Sequence, residues 1–151
     1  MHWLKSYRAQ NPAQSPIARY RFTLAIAAFL TLPTGYFLRF SPQLPEIVRN
    51  ISGNLAYETL LILLVLLVAP TVLPRGAAIG VCLVSFGLEF LQLSQTPLLV
   101  AARSNTLGRL ILGNGFTWED FPLYVLGSLV GWAIAAQIRQ RCFSSAASPE
   151  R

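Results

Sequence analysis

The chain has 151 residues, of which 54% are hydrophobic and 12% charged, and its net charge is +6. An average soluble domain carries about 25% charged residues, so this composition, with a mean hydropathy of +0.51, excludes an ordinary water-soluble domain and suits one membrane-embedded unit. Basic residues that flank apolar runs point to lipid headgroups and topology and not to nucleic acid, and two cysteines with a single histidine give neither a disulfide framework nor a zinc site, so no metal or cofactor is expected.

In chain order, residues 1–19 form a polar leader containing "NPAQSP" and read as disordered. The first apolar run, about Phe22 to Leu38, is followed by no small-x-small cleavage site and reads as a retained span. The second runs from about Leu55 to Leu73. That start puts Glu58 in the first helical turn, where the helix dipole favours an anion. The third runs from about Ala77 to Leu93. Pro33 is expected to kink the first helix and Pro70 the end of the second. Gly76 and Gly80 at the start of the third suggest close helix packing.

The third loop, "TPLLVAARSNTLGRLILGNGFTWEDF", is the richest stretch. "TLGRLILG" is short and amphipathic and is expected to lie at the interface or to re-enter the membrane. "GNG" signals a turn. "TWED" reads as an N-cap at Thr117 followed by acids in the first turn, with Trp118 as an interfacial anchor. The fourth span covers about Phe121 to Ile138, and its Gly127 and Gly131 form a second close-packing pair. Residues 141–151 are a flexible tail. The fold expected is all-α, an integral membrane bundle of four transmembrane helices over residues 20–140.

With four spans, both termini share a side. Lys5, Arg8, Arg19, Arg21, Arg75, Arg139, Arg141 and Arg151 fall there, against Arg39, Arg49, Arg103 and Arg109 opposite. The excess puts both termini in the cytoplasm. Independently of orientation, Glu58, Glu89, Glu119 and Asp120 all converge on the half of the bilayer away from the termini.

Glu89 is the unusual acid, about 20 Å along the third helix from Gly76. Ser85, Glu89, Gln92 and Thr96 recur at helical spacing and share a face. A charge at the membrane centre costs about 3 kcal/mol on insertion scales, so such a stripe faces the protein interior. Arg103 and Arg109 are the candidate partners of Glu89, and the alternative is protonation, since burial disfavours the charged carboxylate. A structural group, either an ion pair or a hydrogen-bonded acid that fixes helix register, and a functional acid fit Glu89 about equally.

The run "GLEFLQLSQTPLLVAARSNTLGRLILGNGFTWEDFPLYVLGSLVG" closely resembles the bacterial membrane family known as domain of unknown function 2809, itself distantly similar to VanZ-like proteins. The matching positions are Glu89, Gln92, Gly108, Arg109, Gly113, Gly115, Phe116, Trp118, Asp120, Tyr124 and Gly127. Tyr124 stands where VanZ-like proteins usually carry Asn. The resemblance implies a multi-pass protein of the bacterial cytoplasmic membrane with no assigned activity. VanZ-like proteins are associated with tolerance to glycopeptide antibiotics.

The function expected is non-enzymatic binding of a lipid headgroup or lipid-linked intermediate in a polar pocket formed by Glu89, Gln92, Arg109, Trp118, Asp120 and Tyr124. Gly108, Gly113, Gly115, Gly127 and Gly131 are read as structural. A headgroup-modifying enzyme with Glu89 or Asp120 as general base, and a small transporter or assembly subunit, are the alternatives.

Overall fold

The structure is a computed structural model and describes residues 15–93, 100, 101, 104 and 116–147. The described residues form four long helices: α1 (Pro16–Phe40), α2 (Glu46–Val68), α3 (Pro74–Gln92) and α4 (Asp120–Ala147). Each contains a segment long and apolar enough to cross a membrane, and the chain is a multi-pass membrane protein. Residues 1–14 of the leader, the last four residues, the expected interfacial helix, Thr96, Gly108, Arg109, Gly113 and Gly115 lie outside the described residues, whereas residues 16–19, expected as disordered leader, open α1 and residues 141–147, expected as flexible tail, continue α4.

Local chemistry sets the helix ends. The Ser15 hydroxyl accepts the Ala18 N–H at 3.1 Å, and Pro16 fills the first turn, where no N–H partner is needed. Pro74 does the same for α3. α1 is continuous through Pro33. α2 ends at Val68, so Pro70 lies beyond the helix and kinks nothing. The turn from Ala69 to Leu73 is closed by the Val72 N–H donating to the Ala69 carbonyl at 3.1 Å. From α4, Arg139 Nη1 donates to the carbonyls of Val72 (3.0 Å) and Pro70 (3.4 Å).

α2 starts at Glu46, nine residues before the apolar run suggests. Its first three turns carry Arg49, Asn50, Ser52 and Asn54, which depress the hydropathy there without breaking the helix. The correction matters for Glu58. That acid is not in the first turn but about 18 Å along the helix, and it is fully buried.

α2 and α4 form the central pair, flanked by α1 and α3. Small residues set the close approaches. A Cβ on Gly35 would sit 2.5 Å from Ala56 Cβ, one on Gly127 2.7 Å from Glu58 Cβ, and one on Gly131 3.1 Å from Thr59 Cα. Gly127 and Gly131 therefore dock α4 on α2 within the chain. Gly80 has open space around its missing side chain, so the Gly76 and Gly80 pair closes no helix contact among the described residues.

The interior divides by height. The half nearer the termini is apolar, built from Tyr20, Leu24 and Ala28 of α1, Ile62, Leu63 and Leu66 of α2, Ala77, Ala78 and Val81 of α3, and Ala135 and Cys142 of α4. The other half is polar inside. The outer surface is apolar, with Phe29, Phe37, Val68, Leu83 and Leu129 turned outward. That arrangement suits lipid as the solvent.

Candidate functional site

Three helices each bring a polar stripe into the interior of the half away from the termini. α2 contributes Asn54 and Glu58, one turn apart. α3 contributes Ser85, Glu89 and Gln92. α4 contributes Asp120, Tyr124 and Ser128, again one turn apart. Side chains at these spacings lie above one another on one face. The result is a polar column that descends from the bundle end towards the bilayer middle.

At the top, Asn54 Nδ2 donates to Asp120 Oδ1 at 2.9 Å and joins α2 to α4. Arg39 of α1 is close enough to act electrostatically on Asp120, and its Nη1 donates to Asn50 Oδ1. Asn54 and Asp120 are half-buried here and Arg39 is exposed, so this end of the column carries both signs of charge.

Below it, Glu89 is 1% exposed and accepts three hydrogen bonds. Gln92 Nε2 donates to Oε2 at 2.9 Å. The Tyr124 hydroxyl donates to the same oxygen at 3.0 Å. The Thr117 N–H donates to Oε1 at 2.6 Å. Hydrogen bonds to an ionised acceptor are the strong ones, and three of them replace much of the water that a buried carboxylate has lost. Thr117 thus acts through its backbone on Glu89. α4 begins two residues later than a Thr117 cap implies, at Asp120.

An aromatic group closes the side of the column. Phe121 contacts Phe86, Phe90, Phe116, Trp118 and Tyr124, with ring centroids 4.8 to 6.5 Å apart. Trp118 is 70% exposed and stands at the rim.

Deepest lie Glu58, Ser85 and Ser128. All three are buried. The serine hydroxyls face the Glu58 carboxyl, but none of the four oxygens completes a hydrogen bond of good geometry to the protein. Tyr124 is within electrostatic reach of Glu58, Glu89 and Asp120 alike, so it is the residue that links the three levels.

Of the residues expected at a site, Glu89, Gln92 and Tyr124 are brought together. Asp120 pairs separately with Asn54, Trp118 is at the rim, and Arg103 and Arg109 lie outside the described residues. Asn54, Ser128 and the depth of Glu58 were missed. The spacing of Asn54 to Glu58, and of Asp120 to Tyr124 to Ser128, carries the same signal that identified the α3 stripe. Among the described residues no group of three His, Cys, Asp or Glu side chains is placed to hold a metal ion.

A family model described as "Protein of unknown function (DUF2809)" matches residues 43–128. No curated protein and no solved structure matches the chain. The matched segment runs from just before α2 to Ser128 and contains every residue of the polar column.

Proposed function

Because the chain belongs to the DUF2809 family, whose function is unknown, its role has to be read from the column itself, and we propose that it binds the polar head of an amphipathic membrane molecule at the column's open end. A lipid headgroup or a lipid-linked envelope intermediate fits. The observation that carries this reading is the Glu89 hub, a buried carboxylate held by donors from α3, from the segment before α4 and from α4 itself. Buried charge is weak evidence for added stability, and ionisable groups within a membrane commonly mark ligand or ion paths. A rigid acid of this kind fixes Gln92, Tyr124 and the Thr117 backbone around the mouth of the column.

Arg109, which lies in sequence between α3 and α4, carries the kind of guanidinium fork that suits a phosphate. Trp118 supplies an amphipathic ring at headgroup level. The role is binding without turnover. Three of the roughly four lone-pair sites of the Glu89 carboxyl are taken by protein donors, which suits a group that positions its neighbours better than one that accepts a substrate proton. We place the protein in the bacterial cytoplasmic membrane with both termini in the cytoplasm, because Lys and Arg are in excess at that end. The site then opens in the outer half of the bilayer.

Native mass spectrometry of the full chain tests the proposal, with wild type, Glu89→Gln, Tyr124→Phe and Arg109→Ala purified in the same detergent. The expected result is a lipid carried by the wild type and lost from Arg109→Ala at unchanged thermal stability. Equal lipid in all four proteins would sink the reading. Reporter fusions at each end check the orientation, and an outside signal from either terminus would reverse it.

A further inference from the structure

Glu58 is the group that the headgroup reading leaves unused. It sits near mid-height of α2 and is 0% exposed. Its two carboxyl oxygens and the hydroxyls of Ser85 and Ser128 are all buried without a hydrogen-bond partner of good geometry. Four buried oxygens from three helices thus meet around one point, with both hydroxyls close enough to act on the carboxyl but with no further protein donor or cationic side chain among the described residues to complete the set, which is unusual because buried polar groups are nearly always paired.

The packing holds the cluster in place. A Cβ on Gly127 would lie 2.7 Å from Glu58 Cβ and 3.2 Å from Leu55 Cα. α4 therefore presses its backbone against the stem of Glu58 and brings the next residue, Ser128, beside the carboxyl. The titratable neighbours are Tyr57 on the same helix and Tyr124 on α4. Both are neutral donors at ordinary pH, and neither brings positive charge. From α3 the facing group is Ser85, with Glu89 one turn further out. From α1, Gly35 packs against Ala56, an apolar contact two residues before Glu58.

A lone carboxylate in the apolar layer needs a positive charge beside it. Two carboxyl oxygens and two hydroxyls form a hard oxygen cage of net charge −1, and one monovalent cation neutralises it. A divalent ion would leave excess positive charge in the membrane. Softer metals favour nitrogen or sulfur ligands that the cluster lacks.

From this cluster we infer that Glu58, Ser85 and Ser128 form an exchangeable intramembrane site for one small hard monovalent cation, a proton or a sodium ion. The column above is its route, through Tyr124 and past Asp120 to the open end. The site is distinct from the headgroup reading and stands whether or not a lipid binds there.

Infrared difference spectroscopy of the purified full chain reads the site directly, comparing wild type with Glu58→Gln. Sodium chloride and choline chloride serve as the probe salt and its control. In sodium-free buffer the expected result is a protonated-carboxyl band that Glu58→Gln lacks and that shifts on transfer to heavy water. If the site takes sodium, sodium chloride but not choline chloride converts the band to carboxylate and raises the unfolding temperature. Ser85→Ala with Ser128→Ala abolishes that response. If the site takes only protons, sodium has no effect and alkaline titration alone removes the band. A Glu58 band that ignores heavy water, pH and sodium would overturn the inference and mark a sealed structural group. So would a permanent carboxylate band indifferent to sodium. Should Glu58→Gln not fold, Glu58→Asp moves the band and serves as the assignment.

Discussion

The Tyr124 hydroxyl donates to Glu89 Oε2 over 3.0 Å and ties α4 to α3 inside the apolar layer. The two residues are 35 positions apart in sequence. Their meeting fixes the register of the last helix against the third. Gln92 shares the same acceptor oxygen, so the contact is one arm of a small network.

Removing that hydroxyl has a modest cost. Hydrogen bonds between membrane helices average about 0.6 kcal/mol and reach about 1.7 kcal/mol. Tyr124→Phe is expected to destabilise by about 1 kcal/mol in reversible detergent unfolding. Glu89→Gln is expected to cost more, because its amide turns an N–H towards at least one existing donor. Equal stability of both variants with wild type would show that the network holds nothing together.

The small-residue contacts predict opposite outcomes for two glycines. Gly127→Ala forces a methyl to within 2.7 Å of Glu58 Cβ, and overpacking of this kind costs about 1–3 kcal/mol. Gly80→Ala meets nothing within 4 Å and replaces a poor helix former with the best one. It is expected to be neutral or slightly stabilising. Thermal unfolding of the two variants side by side checks the contrast.

Asn54 and Asp120 join α2 to α4 at the half-buried end. A double-mutant cycle with Asn54→Ala and Asp120→Ala is expected to return a coupling of about 0.5–1.5 kcal/mol, in the range of paired residues in one network. A coupling of zero would mean that water substitutes freely there.

At the other end, Arg139 holds the turn between α2 and α3 by its bonds to the Val72 and Pro70 carbonyls. Its guanidinium also lies 5.9 Å from the Tyr20 ring centroid and 5.4 Å from that of Phe143. Arg139→Ala is expected to cost about 1–2 kcal/mol, from lost hydrogen bonds and lost cation–π contact. Hydrogen exchange should quicken at Val72, whose N–H closes the turn. Arg139→Lys keeps the charge but loses the fork, and should fall between the two.

Much of this arrangement is legible in the sequence. Hydropathy finds four spans because lipid demands long apolar helices. Helical spacing finds the α3 stripe of Ser85, Glu89 and Gln92, all of which are buried. Hydropathy misplaces the start of α2, because Arg49, Asn50 and Asn54 look like loop residues while the backbone stays helical through them. That single error put Glu58 near the surface and hid the deepest level of the column. The pairings themselves, Glu89 with Tyr124 and Asn54 with Asp120, depend on how helices rotate against one another. A linear pattern gives each stripe but not which stripes meet.

The contact between Gly127 and Glu58 also bears on how the protein is made. Translation delivers α2 and α3 to the membrane well before α4. Until the last helix arrives, Glu58 has no Gly127 backbone against its stem and no Ser128 beside its carboxyl. The unfinished chain therefore carries an open acidic flank in the apolar layer, and the finished one closes it. A truncated or mispacked product keeps that flank exposed, which distinguishes it physically from the completed protein.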